Sequence, residues 1–435
     1  MDKRLKVNYG GLELRSPIIL ASSGITKAYE NAAKADRYGA GAVVLKTKFE
    51  EELMAHSPTP RFTVIRRGKG DYSSTTNMSY EQGYEYSIEE YCNEIRKCKE
   101  TLELKIIASI GCSTKECWVK WAKMVEEAGA DAIEMNLSCP HSDYVMAETG
   151  RINQMIAEMA PAVVQAVKIP VYTKMTPQLD NPVATALIME KSGAAGICAF
   201  SRCLGMDIDI DEQKPVLHGG YGGHGGPWSI HYALRWISQM YPNVHIPISG
   251  CGGVIEGDDV IKYILAGSTA VQVCFMIYAY GYSVIEQLNN RVLEYMEQHG
   301  YQSIEEFRGI VTGSRIKGLK DVDRTKTLIA QVDESRCVGC RRCSDICIFD
   351  GISFDEEKKK AFINKQCDGC GLCPSFCPRK AISILCFMPG NGERPRSSLW
   401  AVQSPAWSFA GKRARMWSST EMRPRQSSAL PKYWT

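Results

Sequence analysis

The sequence lacks a long apolar segment, both near its start and elsewhere. No stretch reaches the roughly 18 consecutive apolar residues that identify a membrane-spanning helix. The first residues, MDKRLKVNYGGLEL, do not contain the apolar core of a secretory signal. We therefore expect a protein that does not cross a membrane, is not secreted and resides in the cytoplasm.

The sequence also lacks a strong excess of one charge, since 52 Lys and Arg residues stand against 49 Asp and Glu residues. Residues 386–435 hold eight basic and two acidic residues, a local net charge of +6, which leaves the rest of the chain near −3. A nucleic-acid-binding face usually appears as a large basic excess. We therefore expect no nucleic-acid partner.

Cysteine, in contrast, is abundant, with 18 residues. Because the cytosol keeps thiols reduced, so many cysteines indicate metal ligands or catalytic thiols before disulfides. Eight of them form two copies of C-x2-C-x2-C-x3-C, namely CVGCRRCSDIC from Cys337 and CDGCGLCPSFC from Cys367. This is the spacing of bacterial ferredoxins that hold two [4Fe-4S] clusters.

In such ferredoxins the fourth cysteine of each motif binds the cluster that the other motif holds. Structural zinc is the alternative interpretation, but zinc needs four ligands and does not explain a third and fourth cysteine in each motif. The segment ISFDEEKKKAFIN between the motifs is expected to form a short hairpin. The predicted ligands are Cys337, Cys340, Cys343 and Cys377 for one cluster, and Cys367, Cys370, Cys373 and Cys347 for the other.

Upstream of the motifs, eight short apolar or β-branched runs alternate with helical stretches. This alternation predicts a parallel sheet of βα units, and eight units predict a (β/α)8 TIM barrel. A doubly wound sheet is the competing architecture, but its glycine-rich loop would follow the first strand, where this chain has SSGIT. The runs are PIILAS (17–22), AVVLK (42–46), KIIASI (105–110), AIEMNL (132–137), PVYTK (170–174), GICAF (196–200), IPISG (246–250) and AVQVC (270–274).

A chain of 435 residues exceeds the usual size of one hydrophobic core, so we expect more than one structural unit. We assign residues 1–304 to the barrel, 305–327 to a linker and 328–385 to a ferredoxin-like domain. Residues 386–435 show no helical or strand periodicity. They are interpreted as a basic irregular tail, to which we assign no function.

In a TIM barrel, functional residues gather at the carboxyl ends of the strands, and the loops after strands seven and eight commonly bind a phosphate through backbone amides. A glycine-rich stretch at 219–228 contains G-x-G-x-x-G but follows no strand, so we expect a flexible loop near that phosphate. The candidate cofactor-binding residues are Ala21, Ser22, Lys46, Thr47, Asn136, Lys174, Ser201, Gly226, Ser249, Gly250, Gly252, Gly253 and Cys274.

Four segments carry a family resemblance: NLSCPH (136–141), TKMTP (173–177), VLKTK (44–48) and SGCGGV (249–254). Together they resemble the dihydroorotate and dihydropyrimidine dehydrogenase family, and most closely its pyrimidine-reducing branch. That branch joins an FMN barrel to a C-terminal ferredoxin in this order, so the resemblance covers roughly residues 5–385. It implies FMN, two [4Fe-4S] clusters and a pyrimidine/5,6-dihydropyrimidine pair as substrate.

The resemblance also implies roles for individual residues. Cys139 would be the catalytic general acid that protonates one carbon of the activated C=C bond, and an unperturbed thiol is mostly protonated at neutral pH. Lys174 would lie against the N1/O2 edge of the flavin, where a fixed cation stabilises its reduced form. Lys46 would contact the flavin ring as well. Asn136 and Asn77 would offer amide groups to the substrate.

At two places the sequence departs from the pyrimidine-reducing branch. After strand six the branch has an asparagine followed by Thr or Ser, where this chain has Phe200 and Ser201. After strand three the expected asparagine is replaced around Thr114 and Lys115. We expect Phe200 and Ser201 in the substrate pocket, with a specificity that differs because lost hydrogen bonds each cost on the order of 1 kcal/mol.

The chain has no convincing NAD site, so a partner is expected: an NAD(P)H-oxidising flavoprotein subunit or a ferredoxin, within an oligomer. Two alternatives to a pyrimidine-reducing enzyme stay open. One is an electron-transfer subunit whose barrel has lost its substrate, an interpretation that Phe200 favours. The other is an RNA-modifying dihydrouridine synthase, against which the slightly acidic barrel and the ferredoxin argue.

Overall fold

The computed structural model describes residues 1–50, 59–68, 74–80, 83–137, 151–217, 220–313, 315–318, 320–322 and 327–387. The chain divides into two compact units, the first over residues 1–318 and the second from residue 319 onward.

The first unit is a closed barrel of eight parallel strands, which confirms the predicted (β/α)8 fold. Each strand pairs with the next one along the chain, and the eighth pairs with the first. Burial of both faces explains why the strands are continuous apolar runs. The strands are β1 (Ile18–Leu20), β2 (Ala42–Val44), β3 (Lys105–Gly111), β4 (Ala132–Met135), β5 (Val171–Met175), β6 (Gly196–Ala199), β7 (Ile248–Cys251) and β8 (Ala270–Val273).

One long helix follows each strand and buries its apolar face in the same core. A short helix, Phe275–Tyr280, comes between β8 and the last of them. The long helices are α1 (Tyr29–Arg37), α2 (Ile88–Thr101), α3 (Lys115–Glu127), α4 (Arg151–Ala166), α5 (Pro182–Lys191), α6 (Ile230–Met240), α7 (Gly257–Ala266) and α8 (Val284–His299).

Local sequence explains where these helices begin and end. At the start of α2, the Ser87 hydroxyl accepts the Glu90 amide, and the Glu90 carboxylate accepts the Ser87 amide. Thr114 caps α3 by accepting the Cys117 amide. At the end of α8, Gly300 has a φ of 76°, a left-handed conformation that glycine adopts at little cost.

A four-stranded antiparallel sheet forms from the segments that follow β2 and β6. Gly222–Gly225 lies inside this sheet, so the expected flexible glycine-rich loop is wrong at these residues. The glycines permit close approach, because a Cβ on Gly223 would lie 2.6 Å from the guanidinium carbon of Arg202. The strand order is Cys203–Gly205, Gly222–Gly225, Ser74–Ser79 and Phe62–Arg67.

Shorter elements complete the first unit as described. An antiparallel hairpin joins Val7–Tyr9 to Leu12–Leu14, a second one joins Ile208–Asp209 to Lys214–Pro215, and Lys48–Phe49 pairs in parallel with β3. The single-turn helices are Lys3–Leu5, Gly24–Thr26, Pro227–Ser229 and Ile304–Glu306.

The predicted linker, residues 305–327, begins within the barrel unit. The side chain of Phe307 is fully buried, and the Gly309 amide donates to the carbonyl of Ile264 in α7. The domain limits drawn from the sequence therefore stay a prediction, while the first compact unit continues to residue 318.

The second unit is built from two antiparallel strand pairs and two short helices. The strands β9 (Thr327–Val332) and β12 (Ile382–Phe387) form one pair. The other pair, β10 (Ile352–Asp355) and β11 (Lys360–Ile363), is the hairpin expected between the cysteine motifs. The helices are α9 (Arg342–Asp345) and α10 (Leu372–Phe376).

Within the part of the chain that the structure describes, no helix is both long enough and apolar enough to span a membrane.

Candidate active site

One cavity of the barrel collects most of the residues that the sequence singled out. It opens where the strands end, and aromatic side chains such as Phe49, Tyr232 and Tyr278 form part of its wall. The predicted residues that line it are Ala21, Ser22, Lys46, Thr47, Asn77, Asn136, Lys174, Phe200, Ser201, Gly226, Gly252, Gly253 and Cys274. Cys139 lies outside the described residues.

Lys174 reaches into the cavity from β5 and is held from two sides. Its Nζ lies 3.1 Å from Oε1 of Glu134 on β4 and 3.2 Å from Oε1 of Gln272 on β8. The Gln272 amide also donates to Glu134 Oε2 at 2.7 Å. All three side chains are buried, so the ammonium group is fixed in one position at the floor of the cavity.

Electrostatic surroundings keep this lysine charged. Burial alone would lower the pKa of Lys174, but the nearby groups of Cys198, Glu134 and Cys251 outweigh it and raise the pKa well above its usual value. Burial raises the pKa of the Cys198 thiol. The hydrogen bond between Cys198 and Cys251 lowers the pKa of Cys251. A fixed positive charge is therefore present at neutral pH.

A hydrogen-bond network joins the ends of the first four strands. Ser22 Oγ lies 2.8 Å from Thr47 Oγ1, which lies 2.8 Å from Ser109 Oγ on β3. The Asn136 amide donates to Thr47 Oγ1 at 3.1 Å. Asn136 Oδ1 is buried and accepts no hydrogen bond from the described residues. An unsatisfied buried carbonyl costs about 1–3 kcal/mol, so this oxygen is suited to an N–H donor on a bound molecule.

The loop after β7 is shaped for close backbone approach. Gly252 and Gly253 have φ values of 110° and 71°, which side-chain-bearing residues rarely adopt. A Cβ on Gly253 would lie 2.5 Å from the amide nitrogen of Ile230, where α6 begins. Ser229 also lines this part of the cavity. A glycine loop that approaches the start of a helix this closely suits an anionic group such as a phosphate.

Two residues predicted for this loop lie elsewhere. Ser249 and Gly250 are inside β7 and do not line the cavity, because the strand continues to Cys251. Ser249 is fully buried, and its hydroxyl lies 3.1 Å from the hydroxyl of Tyr9. A Cβ on Gly250 would lie 2.2 Å from the ring of Tyr263. Both residues therefore lie in the packed interior of the barrel.

The residues after β6 form a further part of the cavity wall. Phe200 is buried and packs edge-on against Tyr232, with ring centroids 5.3 Å apart. The Ser201 amide donates to the Met175 carbonyl at 2.7 Å, which leaves the Ser201 side chain in the lining. Asn77 comes from the antiparallel sheet, where it pairs with Gly225.

Sequence reasoning missed several polar residues of this site. Glu134 and Gln272, which hold Lys174, and Ser109, which ends the hydroxyl network, are examples. Each is a polar residue with an apolar residue on either side of it in a strand run. Since such strands are buried on both faces, an isolated polar side chain there indicates a group with a specific partner.

In the second unit, the eight motif cysteines line two separate cavities. Ala381 donates its amide to Cys377 Sγ at 3.2 Å, and Gly351 donates to Cys347 Sγ at 3.2 Å, so each of these sulfurs accepts a backbone hydrogen bond suited to a thiolate. Cys337, Cys340, Cys343 and Cys377 line one cavity, and Cys347, Cys367, Cys370 and Cys373 line the other. This grouping crosses between the motifs as the spacing predicts.

Comparison with known proteins identifies both units. Residues 4–296 match the dihydroorotate dehydrogenase family, and residues 330–384 match the 4Fe-4S dicluster domain. The chain is 31% identical to the NAD-dependent dihydropyrimidine dehydrogenase subunit PreA of Escherichia coli, over 91% of this chain and 99% of that protein. It is 31% identical to the dihydroorotate dehydrogenase B (NAD(+)) catalytic subunit of Pyrococcus abyssi, over 70% of this chain and 98% of the relative.

These matches confirm the predicted cofactors, because the barrel family binds FMN and the dicluster domain holds two [4Fe-4S] clusters. The residues present fit both groups. Asn136 Oδ1, which has no partner among the described residues, and the buried cation of Lys174 suit the polar edge of a flavin ring, and the loop at Gly252 suits its phosphate. The two cavities of four cysteines suit the clusters.

Proposed function

The chain belongs to the dihydroorotate dehydrogenase family, and on that premise we propose that it interconverts a pyrimidine and its 5,6-dihydro form, by reducing the C5=C6 double bond or by oxidising the corresponding single bond. The observation that carries this proposal is one cavity in which a buried lysine, a glycine loop and an amide oxygen without a partner among the described residues meet. The resemblance of the whole chain to a dihydropyrimidine dehydrogenase subunit supports the pyrimidine branch.

In the proposed reaction, bound reduced FMN would supply a hydride to one carbon of the C=C bond, and oxidised FMN would accept it in the opposite direction. Cys139 is the group that donates a proton to the neighbouring carbon, or removes it in the opposite direction. A thiol with an ordinary pKa is protonated at neutral pH and is suited to that step. In the sequence it stands in NLSCPH, two residues beyond the described segment that ends at 137.

Lys174 is proposed to stabilise negative charge on the cofactor. Its ammonium group is fixed by Glu134 and Gln272, so it need not reorganise when charge develops. Lys46 has a buried side chain in the same wall and is proposed to contact the cofactor ring. Thr47 and Ser22 hold the amide of Asn136 through the hydroxyl network.

The substrate contacts proposed are Asn77, Asn136, Phe200 and Ser201. An amide side chain can both donate to and accept from a cyclic amide ring, which suits the two asparagines to a pyrimidine. Phe200 offers no such group, so we propose that it shifts specificity away from unsubstituted uracil. Its buried ring against Tyr232 supports this role.

The clusters are proposed to carry electrons between the barrel and a redox partner. Cys337, Cys340, Cys343 and Cys377 hold one cluster in this scheme, and the remaining four motif cysteines hold the other. The partner proposed is an NAD(P)H-oxidising flavoprotein subunit or a ferredoxin, because the E. coli and Pyrococcus relatives are named as subunits of NAD-dependent enzymes. The assembly is proposed to be a cytoplasmic oligomer.

A substrate panel with anaerobic holoprotein tests this function. An artificial reductant would supply electrons, and uracil, thymine, orotate and a non-pyrimidine enone would be offered separately. Formation of a dihydropyrimidine supports the proposal. Protein that holds FMN and clusters but reduces no pyrimidine would contradict it and favour the electron-transfer subunit instead.

A further inference from the structure

Three side chains with ligand atoms for a metal meet beside the carboxyl end of β3. Glu50 follows the short strand Lys48–Phe49, Cys112 follows β3, and Cys117 lies in the first turn of α3. Their ligand atoms all lie within 4.8 Å of one another. None of the three lines the barrel cavity as described, so the group is separate from the proposed reaction.

Backbone contacts hold this group in place. The Glu50 amide donates to the Gly111 carbonyl at 2.9 Å, which extends the pairing of the segment with β3. Glu50 Oε2 accepts the Ser113 amide at 2.6 Å, so the carboxylate has a fixed orientation. The Cys117 amide donates to Thr114 Oγ1 at 3.3 Å within the cap of α3. Cys112 is buried, whereas Glu50 and Cys117 are partly accessible.

We propose that Glu50, Cys112 and Cys117 form a binding site for a divalent cation of the Zn²⁺ type. Thiolates and carboxylates are ligands that zinc uses, and a tetrahedral site with Zn–S of about 2.3 Å and Zn–O of about 2.0 Å places ligand atoms about 3.5–3.8 Å apart. The group reaches that geometry with displacements of about 1 Å. On binding, the two thiols release their protons to solvent.

Three protein ligands leave a fourth position for water. The cation ties the segment after β2 to the junction of β3 and α3. This role differs from a simple helix cap, in which a carboxylate accepts the free amides before α3 and is stabilising without any metal. A cap requires the carboxylate alone, whereas the metal site requires both thiols.

The test uses full-length holoprotein with both iron-sulfur clusters assembled, so that the motif cysteines are occupied. The protein is equilibrated anaerobically with Zn²⁺, freed of loosely bound metal by gel filtration, and analysed for zinc and iron. We expect about one zinc per chain beside an unchanged iron content. X-ray absorption at the zinc edge should give two sulfur neighbours at about 2.3 Å and oxygen neighbours at about 2.0 Å.

Variants distinguish zinc binding at the proposed site from nonspecific zinc binding elsewhere on the protein. Cys117→Ser and Glu50→Gln should each weaken zinc binding at least about tenfold. Cys117 is partly accessible and lies at the edge of the core. Cys92→Ser is the matched control, because Cys92 is a cysteine of α2 outside the group and should keep full zinc content. Wild-type protein without zinc, equal zinc in Cys117→Ser, or sulfur-only coordination would overturn the proposal.

Discussion

Glu134 Oε1 lies 3.1 Å from Nζ of Lys174 inside the barrel, where the two side chains are 1% and 8% exposed. A buried ion pair of this kind fixes the position of a charge more than it stabilises the fold, because desolvation offsets most of the attraction. Here the charge lies in the wall of the cavity. The carboxylate therefore sets where, and over which pH range, the site is positive.

The first prediction concerns the charge of Lys174. Glu134→Gln preserves the shape of the pair but removes one of the groups that raise the pKa of Lys174. Lys174 should then lose its proton at lower pH than in the wild type. Above that pH, the ammonium group no longer stabilises the reduced flavin. The flavin reduction potential falls with pH in any case, because flavin reduction takes up protons. Spectroelectrochemistry against pH should show the additional decrease caused by lysine deprotonation at lower pH in the variant.

Glu103→Gln is the control, since Glu103 is an exposed carboxylate that pairs with Arg15 at the surface. The pH dependence of the flavin reduction potential in Glu103→Gln should match that of the wild type. Identical curves for Glu134→Gln and the wild type would mean that Glu134 does not govern the lysine. Lys174→Met, which removes the cation at every pH, should lower the potential by at least about 30 mV, or about 1.4 kcal/mol for a two-electron couple.

The second prediction concerns crossed ligation of the clusters. Wild-type protein prepared anaerobically should hold about eight iron and eight sulfide per chain. Cys340 and Cys377 line the same cavity although they come from different motifs. The double variant Cys340→Ala/Cys377→Ala should therefore lose one cluster and keep about four iron.

Cys340→Ala/Cys347→Ala is the matched comparison, because these two cysteines come from one motif but line different cavities. It should lose both clusters. If the second pair of substitutions leaves about four iron and the first leaves none, each motif binds its own cluster and the crossed assignment fails.

The third prediction concerns Cys139, which lies outside the described residues. Cys139→Ala should leave FMN and the clusters bound but slow the half-reaction with substrate by at least about a hundredfold, as expected for a positioned general acid. The rate of Cys139→Ser should lie between those of the wild type and Cys139→Ala, because a hydroxyl donates a proton less readily than a thiol does. Stopped-flow reoxidation of the flavin measures this rate, with Cys92→Ala as the control. Unchanged rates in Cys139→Ala would make the thiol a structural residue.

The fourth prediction concerns Phe200. Phe200→Asn should raise kcat/KM for uracil or thymine by about 1–3 kcal/mol, or about 5- to 150-fold, by restoring one or two hydrogen bonds. Phe200→Leu removes the ring without adding an amide and should give no such gain. Steady-state assays with both pyrimidines measure the effect. A wild-type enzyme that already reduces uracil well and is weakened by Phe200→Asn would place specificity elsewhere.

The barrel could be predicted because its strands are local features of the sequence. Runs such as AVVLK and GICAF contain β2 and β6, and the residues of these strands are apolar, as expected for strands buried on both faces. The antiparallel sheet could not be predicted in this way. Its strand Gly222–Gly225 has no apolar alternation. It forms by pairing with Cys203–Gly205 on one side and, on the other, with Ser74–Ser79, far away in the sequence.

Some residues of the candidate site could likewise be predicted from the sequence, and others could not. Lys174 and Asn136 were found because they end apolar runs, where barrel strands present their functional groups. Glu134 and Gln272 were not, because their importance depends on which strands lie beside β5. Ser249 was expected to bind the cofactor, but its side chain is buried in the interior of the barrel within β7, which continues to Cys251.

The central claim is that a barrel cavity reduces pyrimidines with electrons stored in the same chain. It is tested most directly by counting the product that fully reduced protein forms without added reductant. Fully reduced protein holds about four electrons, two on FMN and one on each cluster, and each pyrimidine consumes two. Mixed anaerobically with excess pyrimidine substrate and no further reductant, it should yield about two dihydropyrimidine molecules per chain. The cluster-free variant Cys340→Ala/Cys347→Ala should yield about one. Absence of product from every pyrimidine tested, or equal yields from the two proteins, would contradict the account.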